Sequence, residues 1–367
     1  MRKIYLRKTF LLLLLLSAMA SCVDPYQLES NTFEEAIVIE ATITNELKKQ
    51  EIKLSKTFRF EDDGPTFQSG ASVSISDDSG NNYDFVEENG KYVSAQEFQA
   101  LPQRKYQLNI TTSDGKSYIS TEETVTTATP ITDVNAIVST KEGQRGVQIN
   151  VNSNDPTATS RYYRYEYEET YKIISPSWSG FNVNYAPPPA DEFFRTVRDE
   201  NTKICYSSVL SDQIILATTA EQSEDRIQDF EVRFISDQNY IISHRYSILV
   251  AQYVENLFAY NFYETLKKLS SSESILSQTQ PGFLAGNIRS TTNASEKVMG
   301  YFDVASVSKK RIYFNYADLF PGEDLPPYFV DCTPRSYDEN DRGPNGVFGE
   351  RDYLRNDILS KRTVYFD

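Results

Sequence analysis

From Ala36 onward apolar and polar positions alternate in short runs. Val73 and Ile75 alternate with Ser72, Ser74 and Ser76, and Tyr106, Leu108 and Ile110 alternate with Gln107 and Asn109. A period of two sends successive side chains to opposite faces of a strand, so each run presents one apolar face to a core. The segments AIVIEATIT, QEIKLSKTF, ASVSISDD, NYDFVEE, KYVSA, KYQLNITT and KSYISTEETV read as seven strands. Turn signals separate them, notably Asp78-Ser79-Gly80-Asn81, Glu88-Asn89-Gly90 and Ser113-Asp114-Gly115. This spacing predicts an immunoglobulin-like or fibronectin-like β-sandwich over residues 35–130.

A second, larger β-rich domain is expected over residues 131–367. GVQINVNSND and RYYRYEYEETYKI open it as strands, and residues 175–203, with Pro187-Pro188-Pro189, read as a long loop or insertion. Strands resume at QIILATT, QDFEVRFIS and HRYSILVAQYV. The period then changes: Phe258, Phe262 and Leu266 recur every four residues and Leu269 follows three later, which predicts one amphipathic helix from about Glu255 to Leu269. VMGYFDVAS and KRIYFNY return to strand, and the segment from Pro321, rich in Pro, Gly and Asp, reads as irregular. The fold class is therefore mainly β, and 25 Tyr and 21 Phe agree with it.

The amino terminus changes the picture from fold to location. Arg2, Lys3, Arg7 and Lys8 precede an apolar run from Phe10 to Leu16, which is the layout of a secretory signal over residues 1–21. That run is shorter than the roughly 20 residues needed to span a bilayer. Met19-Ala20-Ser21-Cys22 resembles a bacterial lipobox, so Cys22 is the expected lipidation site and residues 22–34 a polar tether. An ordinary cleaved signal with a chance cysteine is the competing reading. Val23 rather than an acidic residue follows the cysteine, which favours the outer membrane. Either face of that membrane fits.

Without residues 1–21, Lys plus Arg falls from 37 to 33 against 52 acidic residues, a net charge of −19. A surface of that sign repels phosphate backbones and sets nucleic acid aside as a partner. Cys205 and Cys332 then remain as an even pair in an oxidising compartment and are expected to form a disulfide, free buried thiols being the alternative.

Candidate chemistry is sparse. His244 is the only histidine and opens an apolar strand, so a strand-edge structural role outweighs catalysis. The sequence holds no HExxH, Cys-x-x-Cys, phosphate-cradling glycine loop or nucleophile elbow. Acidic pairs such as Glu61/Asp62 and Glu168/Glu169 read as surface charge. Asp338, Asn340 and Gly343 fall at calcium-loop spacing, but Arg342 and Gly349 stand where ligands should be, which makes the loop a weak calcium candidate. No cofactor is expected, and no catalytic residue is assigned. The strand RYYRYEYEETY is either half-buried sheet or an exposed tyrosine platform for sugar rings.

RYSILVAQYVENLFAYNFYETLKKL, QTQPGFLAGNIRS and EKVMGYFDVASVSKKRIYF, with AIVIEATITNELKKQEIKLSKT and YQLNITTSDGKSYIS near the start, resemble the outer-membrane lipoprotein family of Bacteroidota catalogued as domain of unknown function 4249. Gly286-Asn287-Ile288 and Gly300-Tyr301-Phe302 are the most specific pieces; Gly286 and Gly300 suit close backbone approach or positive φ. The resemblance implies a non-enzymatic accessory to a TonB-dependent transporter, acting by docking or ligand capture, and carries over no catalytic residue. A surface glycan-binding or glycan-cleaving lipoprotein is the alternative from another class, and a structural envelope protein a third.

Overall fold

The computed structural model describes residues 35–58, 62, 64–176, 178–186, 189–190, 192–197, 203–270, 284–326, 330 and 332. Cys22, Asp338 and Asn340 lie outside the described residues. The described residues from 36 to 57 and from 65 to 332 belong to one compact unit.

The chain is mainly β. In order the strands are β1 (Ile37–Thr44), β2 (Glu51–Lys56), β3 (Thr66–Phe67), β4 (Ser72–Asp77), β5 (Asn82–Glu88), β6 (Lys91–Ser94), β7 (Lys105–Thr111), β8 (Ser117–Ser120), β9 (Glu123–Thr124) and β10 (Ile131–Lys141). They continue as β11 (Gln144–Asn154), β12 (Tyr162–Ile174), β13 (Phe181–Ala186), β14 (Glu192–Val197), β15 (Ile204–Leu210), β16 (Ile215–Thr218), β17 (Arg226–Ser236), β18 (Arg245–Glu255), β19 (Ile288–Ser290) and β20 (Val298–Asn315). Helix α1 spans Leu257–Ser270 and the short α2 spans Tyr316–Leu319.

A 15-stranded sheet runs in the order β15-β12-β18-β20-β1-β2-β6-β5-β4-β7-β8-β19, with β16 paired to β12, β3 to β2 and β9 to β7 off this path, while β10-β11-β17 form a separate sheet. Two cores result. The first is filled by Ile39 and Ile43 of β1, Leu54, Ile75, Tyr106, Leu108 and Phe302. The second lies between the three-stranded sheet and β12, β18 and the end of β20, where Tyr165 stacks on Phe230 with ring centroids 5.2 Å apart.

One strand joins the two. Residues 298–305 of β20 run parallel to β1, and residues 306–315 run antiparallel to β18. The pairing thus crosses the expected boundary at residue 130: β19 and the first half of β20 complete the sheet that begins with β1. Within residues 175–203, expected as a long loop or insertion, β13 and β14 pair antiparallel as a two-stranded sheet of their own.

The glycine motifs explain the crossing. Gly300 has φ +119°, and a Cβ on it would stand 1.9 Å from the Ile39 carbonyl oxygen; a Cβ on Gly286 would stand 1.6 Å from the Gly300 carbonyl oxygen. Only a residue without a side chain fits either place. Asn287 then acts as a one-residue strand. Its Oδ1 accepts from the Phe302 amide at 2.8 Å, and its Nδ2 donates to the Phe302 carbonyl at 2.9 Å and to Glu123 at 2.9 Å.

Candidate functional site: a groove over a buried arginine

The alternation in β12 sorts its side chains cleanly. Tyr163, Tyr165, Tyr167 and Tyr171 are buried in the second core, which settles the tyrosine-rich strand as half-buried sheet. Their hydroxyls are used inside it: Tyr163 donates to Asp225 at 2.7 Å and Tyr165 to Gln252 at 3.0 Å. The opposite face carries Arg164, Glu166 and Glu168, and register places Arg164 beside Tyr253 of β18, which in turn faces Val307 of β20.

A surface Arg would be the default there, but α1 changes its environment. Asn256 caps the helix by accepting from the Ala259 amide at 2.9 Å. Lys267 and Lys268 in the last turn suit the negative end of the helix dipole. The helix meets the sheet through Tyr260 against Tyr162 at 5.0 Å and Phe262 against Tyr301 at 5.4 Å. Its apolar line is not its buried line: Phe258 is 75% exposed, whereas Ala259 is buried and Tyr263 turns onto Arg164.

Arg164 is consequently held on every side. Its guanidinium lies 4.3 Å from the Tyr253 ring centroid and 4.5 Å from that of Tyr263. Nε donates to Glu255 Oε1 at 2.7 Å, Nη1 donates to Glu166 Oε1, and Nη2 lies 3.8 Å from Asp303 Oδ2. Tyr253 donates to the other oxygen of Glu166 at 3.1 Å. Glu255 and Asp303 are wholly buried, while the Glu166 side chain is 49% exposed.

One buried cation against two buried acids leaves a proton to place. Among the described residues no N–H or O–H hydrogen bond reaches either oxygen of Asp303 or Oε2 of Glu255, and the two buried carboxyl groups flank one guanidinium. Two carboxylates are both acceptors, so only a retained proton can bridge them. Burial first, and then the neighbouring Glu255, push the Asp303 carboxyl well above the ordinary aspartate range. Burial pulls Arg164 down, but Tyr263, Glu255, Glu166 and Asp303 together hold it well above its ordinary value. Desolvation raises the phenols of Tyr253 and Tyr263.

A groove of about 480 Å³ opens over this cluster, with Leu249 and Ala251 of β18 among the residues of its floor and Leu210 and Leu266 among those of its walls. Some of the charges beside it are paired with one another, Lys309 with Glu46 at 2.8 Å and Arg311 with Glu168 at 3.6 Å. A second groove of about 660 Å³ lies on the other side of α1, among Phe258, Phe262, Glu122 and Tyr301.

Cys205 and Cys332 are joined as a disulfide with Cα atoms 5.6 Å apart, away from this chemistry. His244 is half-buried at the start of β18, where burial, then Lys172, lowers its pKa. Among the described residues no three His, Cys, Asp or Glu side chains converge as a metal site. No helix of the described residues is long and apolar enough to cross a membrane. Arg164, Glu255 and Asp303 escaped the sequence reading because they are far apart in the chain; the only signal was the charged side of RYYRYEYEETY.

A family model described as "Domain of unknown function (DUF4249)" matches residues 23–311. No curated protein matches the chain. Among solved structures, "Biofilm associated protein - BSP domain" aligns with 7% identity and a TM-score of 0.11, covering 75% of this chain and 58% of that one. The chain therefore spans less than two thirds of that protein, and a likeness so weak carries no argument.

Proposed function

Because the chain belongs to the DUF4249 family, whose description assigns no reaction, we propose a function from its geometry and its amino terminus: a lipid-anchored outer-membrane accessory to a TonB-dependent transporter, acting by docking or ligand capture without catalysis. The observation that carries the reading is the groove over Arg164. Its polar floor is already fixed by internal pairing, so it offers a preset shape rather than a free nucleophile or base. Leu210, 73% exposed at the rim, supplies apolar contact area. Lipid on Cys22 would confine the groove to the membrane plane, where a raised effective concentration lets weak contacts suffice.

The test is photocrosslinking in intact cells. A crosslinker at Leu210 should capture a barrel receptor, and one at Leu101, 41% exposed and outside the groove, should not. Equal capture from both sites, or none from Leu210, refutes the reading. A second reading, surface glycan binding, is supported by Phe258, which presents an open aromatic ring to the groove beside α1. Retention on polysaccharide columns that is lost in Phe258→Ala would favour it.

A further inference from the structure

We propose that the Arg164–Tyr253 end of the groove is a receptor site for the terminal carboxylate of an extended peptide, and that Glu166 is its built-in occupant. The inference rests on reading the groove as a capture site and adds the chemistry of what is captured.

Glu166 is the only half-exposed member of the cluster, and its carboxylate is gripped by two donors at once, Arg164 Nη1 and the Tyr253 hydroxyl at 3.1 Å. Such a pair of donors, one charged, is how proteins read a carboxylate. Tyr253 and Tyr263 lie against the guanidinium, Nε is bonded to the buried Glu255 and Nη2 lies 3.8 Å from the buried Asp303, so Glu166 is the one acidic partner of Arg164 that is open to exchange. Charge balance selects the incoming group. A ligand carboxylate that displaces Glu166 leaves the buried cluster with the charge it had, whereas an anion added without displacement would set a further acid against one guanidinium.

The rest of the groove selects a peptide over a sugar acid. One ring face of Tyr253 and one of Tyr263 at this end are taken by the guanidinium, which leaves less of a stacking platform. Beyond them Ala251, Leu249, Leu210 and Leu266 line the groove together with polar Lys53 and Gln213, which suits an extended chain that offers both aliphatic side chains and backbone amides.

Titration calorimetry of the purified protein tests this with three probes: N-acetyl-trialanine with a free carboxylate, its carboxamide, and glucuronate. The free acid should bind about tenfold tighter than the amide, the difference a charge-assisted hydrogen bond makes. Glu166→Gln should tighten the acid by about tenfold and the amide by less, because the occupant loses its charge. Tyr253→Phe should weaken the acid alone. Equal affinity for acid and amide, or no tightening in Glu166→Gln, overturns the inference; glucuronate binding better than the peptide overturns its peptide part. Should Leu210 still capture a barrel receptor while acid and amide bind alike, the carboxylate site fails and the docking function stands. Discrimination without a receptor adduct has the reverse meaning.

Discussion

Replacing Asp303 with Asn substitutes a neutral, nearly isosteric side chain for a carboxyl group that the fold forces to keep its proton. In the unfolded chain Asp303 ionises near pH 4, while in the folded chain burial and Glu255 hold it protonated well above that. The folded state thus binds one more proton across the intervening window. Stability then falls as pH rises, at about 1.4 kcal/mol per pH unit. Asn carries no titrating proton, and its amide can donate to Glu255 as the protonated acid does. Between pH 5.5 and 7.5 the Asn variant should therefore gain stability relative to the wild type, by no more than about 1.4 kcal/mol per pH unit. Urea midpoints at the two pH values, with the disulfide intact, measure the gap. A gap that does not change with pH refutes the shared proton and with it the charge balance drawn for Arg164.

Other changes probe other parts of the fold. Glu255→Gln weakens the charged acceptor of Arg164 Nε at full burial and should cost about 3–5 kcal/mol by urea unfolding, since it unbalances a buried pair. Gly300→Ala combines a left-handed backbone with a Cβ 1.9 Å from the Ile39 carbonyl, and should lower stability by about 3 kcal/mol or more, read as a fall in thermal midpoint. Asn287→Ala strips three hydrogen bonds from the crossing and should cost about 2–4 kcal/mol. Reducing Cys205–Cys332, which spans a sequence separation of 127, removes a constraint on the unfolded chain of about 5 kcal/mol by loop entropy, visible as a lower urea midpoint in reductant.

What the sequence made legible was local. Period-two alternation located β4 and β7 because one face of each meets a core, and the turn glycines at 80, 90 and 115 do adopt positive φ. Gly286 and Gly300 could be read as close-approach residues because only glycine tolerates such backbones. The parallel pairing of β1 with β20 was not legible, since no local pattern records which strands become neighbours 260 residues apart. The same gap hid the site. Arg164, Glu166 and Glu168 alternate with tyrosines as an exposed face would, and it takes α1 lying across them to bury the first while leaving the second half open. Helical period located α1 and the contact of Phe262, but not the exposure of Phe258 or the turn of Tyr263 onto a cation that the period does not see.

Mass spectrometry of the mature amino terminus, isolated from cell envelopes, tests the account of location most directly. It predicts a chain that begins at Cys22 with a diacylglyceryl thioether on its sulfur. A mature chain with an unacylated first residue, or a Cys22→Ser product that is processed as before and stays membrane-bound, would contradict it.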